Sequence, residues 1–126
     1  MREKTALIID DIFTTLCARR EEFLTKGSIE GSRTAALFEQ GMPKIAKKFG
    51  EEAAEVIVEA MALASGEGNK TLLIEEIADL SYFLFVMMSE ADIKPEALWA
   101  ELSRRHGLSE KQERSNRTTL KKAYKR

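Results

Sequence analysis

Ser65-Gly66-Glu67-Gly68-Asn69 interrupts two long helix-forming stretches, Lys44 to Ala64 and Thr71 to Ala91, and its reading decides the fold. Clustered Ser, Gly and Asn make a tight turn. Two helices joined by so short a turn lie antiparallel, as an αα-hairpin. Gly50 interrupts the first stretch and costs about 1 kcal/mol relative to Ala, which a long helix can absorb.

Outward from the hairpin the pattern stays helical. Thr5 to Lys26 carries Leu7, Ile8, Ile12, Phe13, Leu16 and Phe23 near a three-four spacing and ends at Gly27. Gly27 to Gly31 reads as a loop, and Ser32 as the N-cap of a short helix through Leu37, closed by Gly41. Pro43 suits the first turn of the next helix. Beyond the hairpin, Pro95 opens a helix to about Arg105 that Gly107 stops, and the remainder is polar and basic. Long helices and short turns predict an all-α bundle of four to five helices. A single domain over 1–126 is expected, with a basic tail over 107–126 that reads either as a helix or as frayed and partly disordered.

Composition narrows the class. The 126 residues include seven Gly and two Pro, too few turn formers for a sandwich or barrel. One cysteine, Cys17, excludes an intrachain disulfide, and one histidine, His106, excludes a conventional His/Cys zinc site. No apolar run reaches the length of a membrane span, and Met1-Arg2-Glu3-Lys4 does not lead into a signal peptide, so a cytoplasmic protein is expected. From Arg104 onward there are nine Lys/Arg against two Glu, while the rest of the chain carries a balance of −8. An acidic body suits a cation and a basic tail an anion.

The hairpin holds the candidate chemistry. Glu51, Glu52 and Glu55 lie on its first helix, and Glu76 and Asp79 on its second. Residues three apart share a helix face, so Glu52 pairs with Glu55 and Glu76 with Asp79. Glu55 lies about eleven residues before the turn and Glu76 about seven after it, a mismatch of about 6 Å at 1.5 Å per residue. Carboxylates brought so close either keep protons or bind a divalent cation. All-oxygen ligation favours a hard ion, Mg²⁺ or Mn²⁺. Asp79 is the only charge between Ile77 and Met88, so this helix is predicted to be buried almost all round, with Asp79 needing a partner. Gly66-Glu67-Gly68-Asn69-Lys70-Thr71 is no phosphate loop, because Asn69 replaces the glycine before Lys70 and a helix precedes it.

The pattern Glu51-Glu52-x-x-Glu55 followed by Glu76-x-x-Asp79 resembles the signature of the MazG-type all-α nucleotide pyrophosphohydrolases. Within them the chain is most similar to phosphoribosyl-ATP pyrophosphohydrolases. Ser32-Arg33-Thr34 with Leu37 to Gly41, Lys44 to Val56, Glu76 to Tyr82, and Arg104 to Ser109 carry the likeness. It implies a bundle completed by a homodimer, a nucleotide substrate, and release of pyrophosphate from phosphoribosyl-ATP in histidine biosynthesis. No membrane or nucleic-acid partner is expected. It also implies Mg²⁺ on Glu52, Glu55, Glu76 and Asp79, holding phosphate oxygens and activating water. Glu51 becomes the candidate general base or second-ion ligand. Lys44, Lys47, Lys48, Arg33, Arg104 and Arg105 become candidate substrate contacts. The family usually has Tyr at Arg33 and His at Phe83, so both departures bear on the substrate. Apolar surplus over Tyr82 to Met88 also suggests a homodimer, and Trp99 is expected to anchor its helix in the core.

Two other readings compete. One is hydrolysis of other nucleoside triphosphates at the same carboxylates. The other is a helix-turn-helix nucleic-acid module in the basic C-terminal part, which has few apolar residues to seat a recognition helix and leaves the carboxylates without a role.

Overall fold

A computed structural model describes residues 2–26, 33–106 and 108–124, with side chains over 8–26, 34–106 and 108–123. Among them are six helices and no strand: α1 (Arg2–Lys26), α2 (Arg33–Gln40), α3 (Met42–Ala64), α4 (Lys70–Glu90), α5 (Pro95–Arg105) and α6 (Glu110–Tyr124). The expected loop over Gly27 to Gly31, the Ser32 cap and the Gly107 stop lie outside the described residues. The helices gather into two compact units, Met1–Lys94 and Pro95–Arg126.

In the first unit, the turn residues act as their chemistry dictates. Gly41 adopts φ 76° and donates its N–H to the Leu37 carbonyl, ending α2, and Pro43 occupies the first turn of α3. Gly66 adopts φ 84° after α3. A Cβ on Gly68 would lie 2.8 Å from the Leu63 nitrogen, so only glycine permits that close return. Asn69 caps α4 by accepting a 2.9 Å hydrogen bond from the Leu72 N–H. At the far end of α4, Asp92 sits at φ 57°, a left-handed conformation that Asp tolerates, and accepts a 2.8 Å hydrogen bond from Arg20 on α1.

α3 packs along α4, while α1 packs on α2 and α4, and α2 on α3. The core is built from Phe13 and Leu16 of α1, Leu37 and Phe38 of α2, Ile45 of α3, and Phe85, Val86 and Met88 of α4. Ile45 and Val86 are wholly buried. All of this lies at the end of the hairpin away from its turn. Towards the turn the apolar side chains face outward, with Met61 65% and Ile74 64% exposed and Ile57, Val58 and Ile77 exposed beside them.

α4 is therefore not buried all round. Phe85, Val86 and Met88 are covered by the chain's own helices, so the apolar surplus expected over Tyr82 to Met88 lies elsewhere, at the turn end. Asp79 is exposed, and the burial argument for its needing a partner does not hold.

In the second unit, α6 forms over the basic stretch whose sequence left helix and frayed tail open. Ser109 and Gln112 form a reciprocal capping box, the Gln112 N–H donating to Ser109 Oγ and the Ser109 N–H to Gln112 Oε1. Arg114 with Glu110 and Arg117 with Glu113 add ion pairs one turn apart. Trp99 is 40% exposed rather than a core anchor.

Candidate metal centre and nucleotide cleft

The hairpin brings together the carboxylates that spacing alone had paired. One oxygen each of Glu52, Glu76 and Asp79 lie within 4.8 Å of one another. Oε2 of Glu52 and Oε2 of Glu76 are buried and have no hydrogen-bond partner. Buried acceptors are normally satisfied, so two orphaned carboxylate oxygens aimed into one cluster require an electrophile. A divalent cation with hard oxygen ligands at about 2.1 Å fits this donor set. Neither Cys17 nor His106 belongs to the cluster.

Electrostatics follow from the crowding. The Glu76 carboxyl is pushed up to about 7, first by its hydrogen bond with the Glu55 side chain, then by burial and the charges of Glu55, Asp79 and Glu52. Glu52 is raised by burial foremost and then by Glu55 and Asp79, with the Lys48 ammonium acting in the opposite sense. Glu55 thus adjoins Glu76 without being one of the close triple. Glu51 stands apart on the exposed side of α3, 3.4 Å from the Lys48 ammonium.

A cleft of about 600 Å³ opens from this cluster. Lys44, Lys48 and Glu52 line one wall at intervals of one helical turn, and Asp79, Tyr82 and Phe83 line another. Thr34, Leu37 and Gln40 of α2 close the third side, and Thr34 is hydrogen-bonded to the Tyr82 hydroxyl. The rings of Tyr82 and Phe83 meet edge to face with centroids 5.7 Å apart. Phe83, where the family pattern has His, therefore adds an apolar ring to the cleft wall. Gln40, Thr34 and Tyr82 fall in the stretches that carry the family likeness but were given no role from sequence, because each is polar without a telling spacing.

The remaining candidates are dispersed. Lys47 is exposed and does not line the cleft. The Arg33 side chain lies outside the described residues. Arg104 holds Glu101 through two hydrogen bonds of 2.9 and 2.7 Å and also reaches Glu113, and Arg105 donates to Glu101 at 3.0 Å. Those bonds, to Arg104 first and then Arg105, hold the Glu101 carboxyl down at about 2. Both guanidinium groups are engaged within the second unit.

A helical hairpin with clustered carboxylates beside a lysine-lined cleft agrees with the all-α nucleotide pyrophosphohydrolase pattern that the sequence resembles. The model of the phosphoribosyl-ATP pyrophosphohydrolase family matches residues 24–106, and the chain belongs to that family. It is 38% identical over 105 residues to the phosphoribosyl-ATP pyrophosphatase of Azospirillum brasilense, covering 83% of this chain and 86% of that one. With the enzyme of the same name from Gluconobacter oxydans it shares 42% identity over 103 residues, 82% of this chain and 70% of the relative. The phosphoribosyl-ATP pyrophosphatase of Sulfurisphaera tokodaii is 50% identical over 76 residues, 60% and 76% of the two chains. Among the described residues no helix is long and apolar enough to cross a membrane.

Proposed function

We propose that this chain hydrolyses phosphoribosyl-ATP to phosphoribosyl-AMP and pyrophosphate, the second step of histidine biosynthesis. The observation that carries the reading is the triple of Glu52, Glu76 and Asp79 at the end of a lysine-lined cleft. Mg²⁺, with Mn²⁺ as an alternative, would be held by these three with Glu55 beside them. Once bound, the ion neutralises phosphate oxygens and lowers the pKa of water.

The chain's own groups supply the rest. Lys48 presents a charge to the phosphates, and its present partner is Glu51. Glu51 lies outside the cleft lining, and we propose that a phosphate drawing the ammonium away frees it to turn towards the cleft and take a proton from the attacking water. Tyr82 and Phe83 offer ring surfaces to the purine. Thr34, bonded to Tyr82, fixes α2 over the cleft.

We also propose that the chain works as a homodimer, the second copy covering Ile57, Val58, Met61 and Ile74. Light scattering should give twice the mass of one chain, and Met61→Asp should halve it.

The deciding assay is pyrophosphate release from phosphoribosyl-ATP with Mg²⁺, with EDTA as control and ATP and dUTP alongside. Metal-dependent release confined to phosphoribosyl-ATP is expected. Equal turnover of ATP and dUTP would move the function to general triphosphate hydrolysis, and release that persists in EDTA would remove the metal from the site.

A further inference from the structure

The cleft has two unlike ends. Next to the carboxylates, the Lys48 ammonium is already paired with Glu51. Lys44 lies eight residues before Glu52 on the same stripe of α3, about 12 Å along the helix axis. It is half-buried and lines the cleft, yet among the described residues it takes part in no ion pair. The neighbouring lining, Thr34, Leu37 and Gln40, brings no negative charge. Nor does Lys44 serve its helix, because a cation in the first turn opposes the helix dipole. A half-buried lysine on a cleft wall that neither pairs nor stabilises its helix has an anion still to meet.

The proposed substrate supplies one. It carries phosphate at two ends, the triphosphate and the phosphorylated ribose, with a purine between them. With the triphosphate at the carboxylates and the purine beside Tyr82 and Phe83, the second phosphate falls at the far end of the cleft. The arginines of the basic segment, Arg104 and Arg105, are engaged by Glu101 and Glu113. We infer that Lys44 binds the phosphate of the phosphoribosyl arm and so makes the cleft prefer phosphoribosyl-bearing nucleotides over simple ones. This rests on the hydrolase reading above and gives that reading a specificity-determining residue.

Calorimetric titration of the full chain in EDTA with phosphoribosyl-AMP and with AMP isolates the arm from both metal and turnover. The wild-type chain should bind phosphoribosyl-AMP at least about tenfold more tightly than AMP, the range of a hydrogen bond to a charged group. Lys44→Gln should bring the two affinities together, and Lys44→Arg should restore most of the difference. In steady state with Mg²⁺, Lys44→Gln should raise KM for phosphoribosyl-ATP by a similar factor with a much smaller change in kcat. A wild-type chain that binds both monophosphates equally overturns the inference with no variant needed, as does a folded Lys44→Gln chain that keeps the preference. Absence of pyrophosphate release from phosphoribosyl-ATP would instead sink the hydrolase reading, since the titration depends on neither metal nor catalysis.

Discussion

The two ends of the α3–α4 hairpin use the same kinds of residue to opposite effect. At the end away from the turn, Ile45 and Val86 vanish between helices that α1 and α2 cover. At the turn end, Met61 and Ile74 are as apolar and stand mostly in water. The carboxylates lie between the two. An apolar side chain earns its stability from what covers it, so a helix hydrophobic along its whole length can be core at one end and interface at the other.

The largest expected effect falls on the carboxylates at the junction. Asp79→Asn or Glu52→Gln should lower turnover by at least about a hundredfold, since even partners of metal ligands cost ten- to a hundredfold. Circular dichroism should still show a folded helical chain; near-normal turnover in either variant would break the site as described. Next, Ile45→Ala should cost about 2–5 kcal/mol in urea unfolding, whereas Ile74→Ala, in dilute protein, should stay within about 0.5 kcal/mol. Equal losses at both positions would erase the contrast between the ends.

A pH series tests the junction without mutation. Glu76 has its folded pKa raised to about 7 from 4.5. The folded chain therefore binds the extra proton between those values, and the contribution of this group to stability is fullest below about 4.5 and is lost as pH rises through 7. In EDTA the melting temperature should decline from pH 5 to 8, and Glu76→Gln should flatten the decline. Mg²⁺ should restore stability at pH 8; a melting curve indifferent to both would contradict the crowded cluster. The smallest effect is at Gly50, where an added Cβ would meet nothing within 4 Å. Gly50→Ala should stabilise the dilute chain by about 0.4–1 kcal/mol. Destabilisation there would show that something approaches that face of α3 closely.

Much of this was legible in sequence for physical reasons. The glycines at 66 and 68 marked the turn, and three-residue spacing paired Glu76 with Asp79 before any coordinates. Burial was not legible, because an apolar run reads alike whether its own chain or another covers it. That is why α4 was expected to be enclosed and Trp99 to be core. Sequence left α6 open between helix and frayed tail because it has few apolar residues. Its Ser109–Gln112 box and its Glu–Arg pairs were the readable signs. Lys44 stood among three similar lysines, and only the cleft wall separates it from Lys47.

Gly68 carries a consequence for how this molecule can vary. Loops usually tolerate insertions best, but here the chain returns onto α3 with no room for a side chain, and the very next residue caps α4. The turn has no slack to absorb a guest residue. One taken up by α4 instead would swing Glu76 and Asp79 by about 100° about the helix axis, away from Glu52. Length variation should accordingly be accommodated between the other helices, while this bend keeps its length.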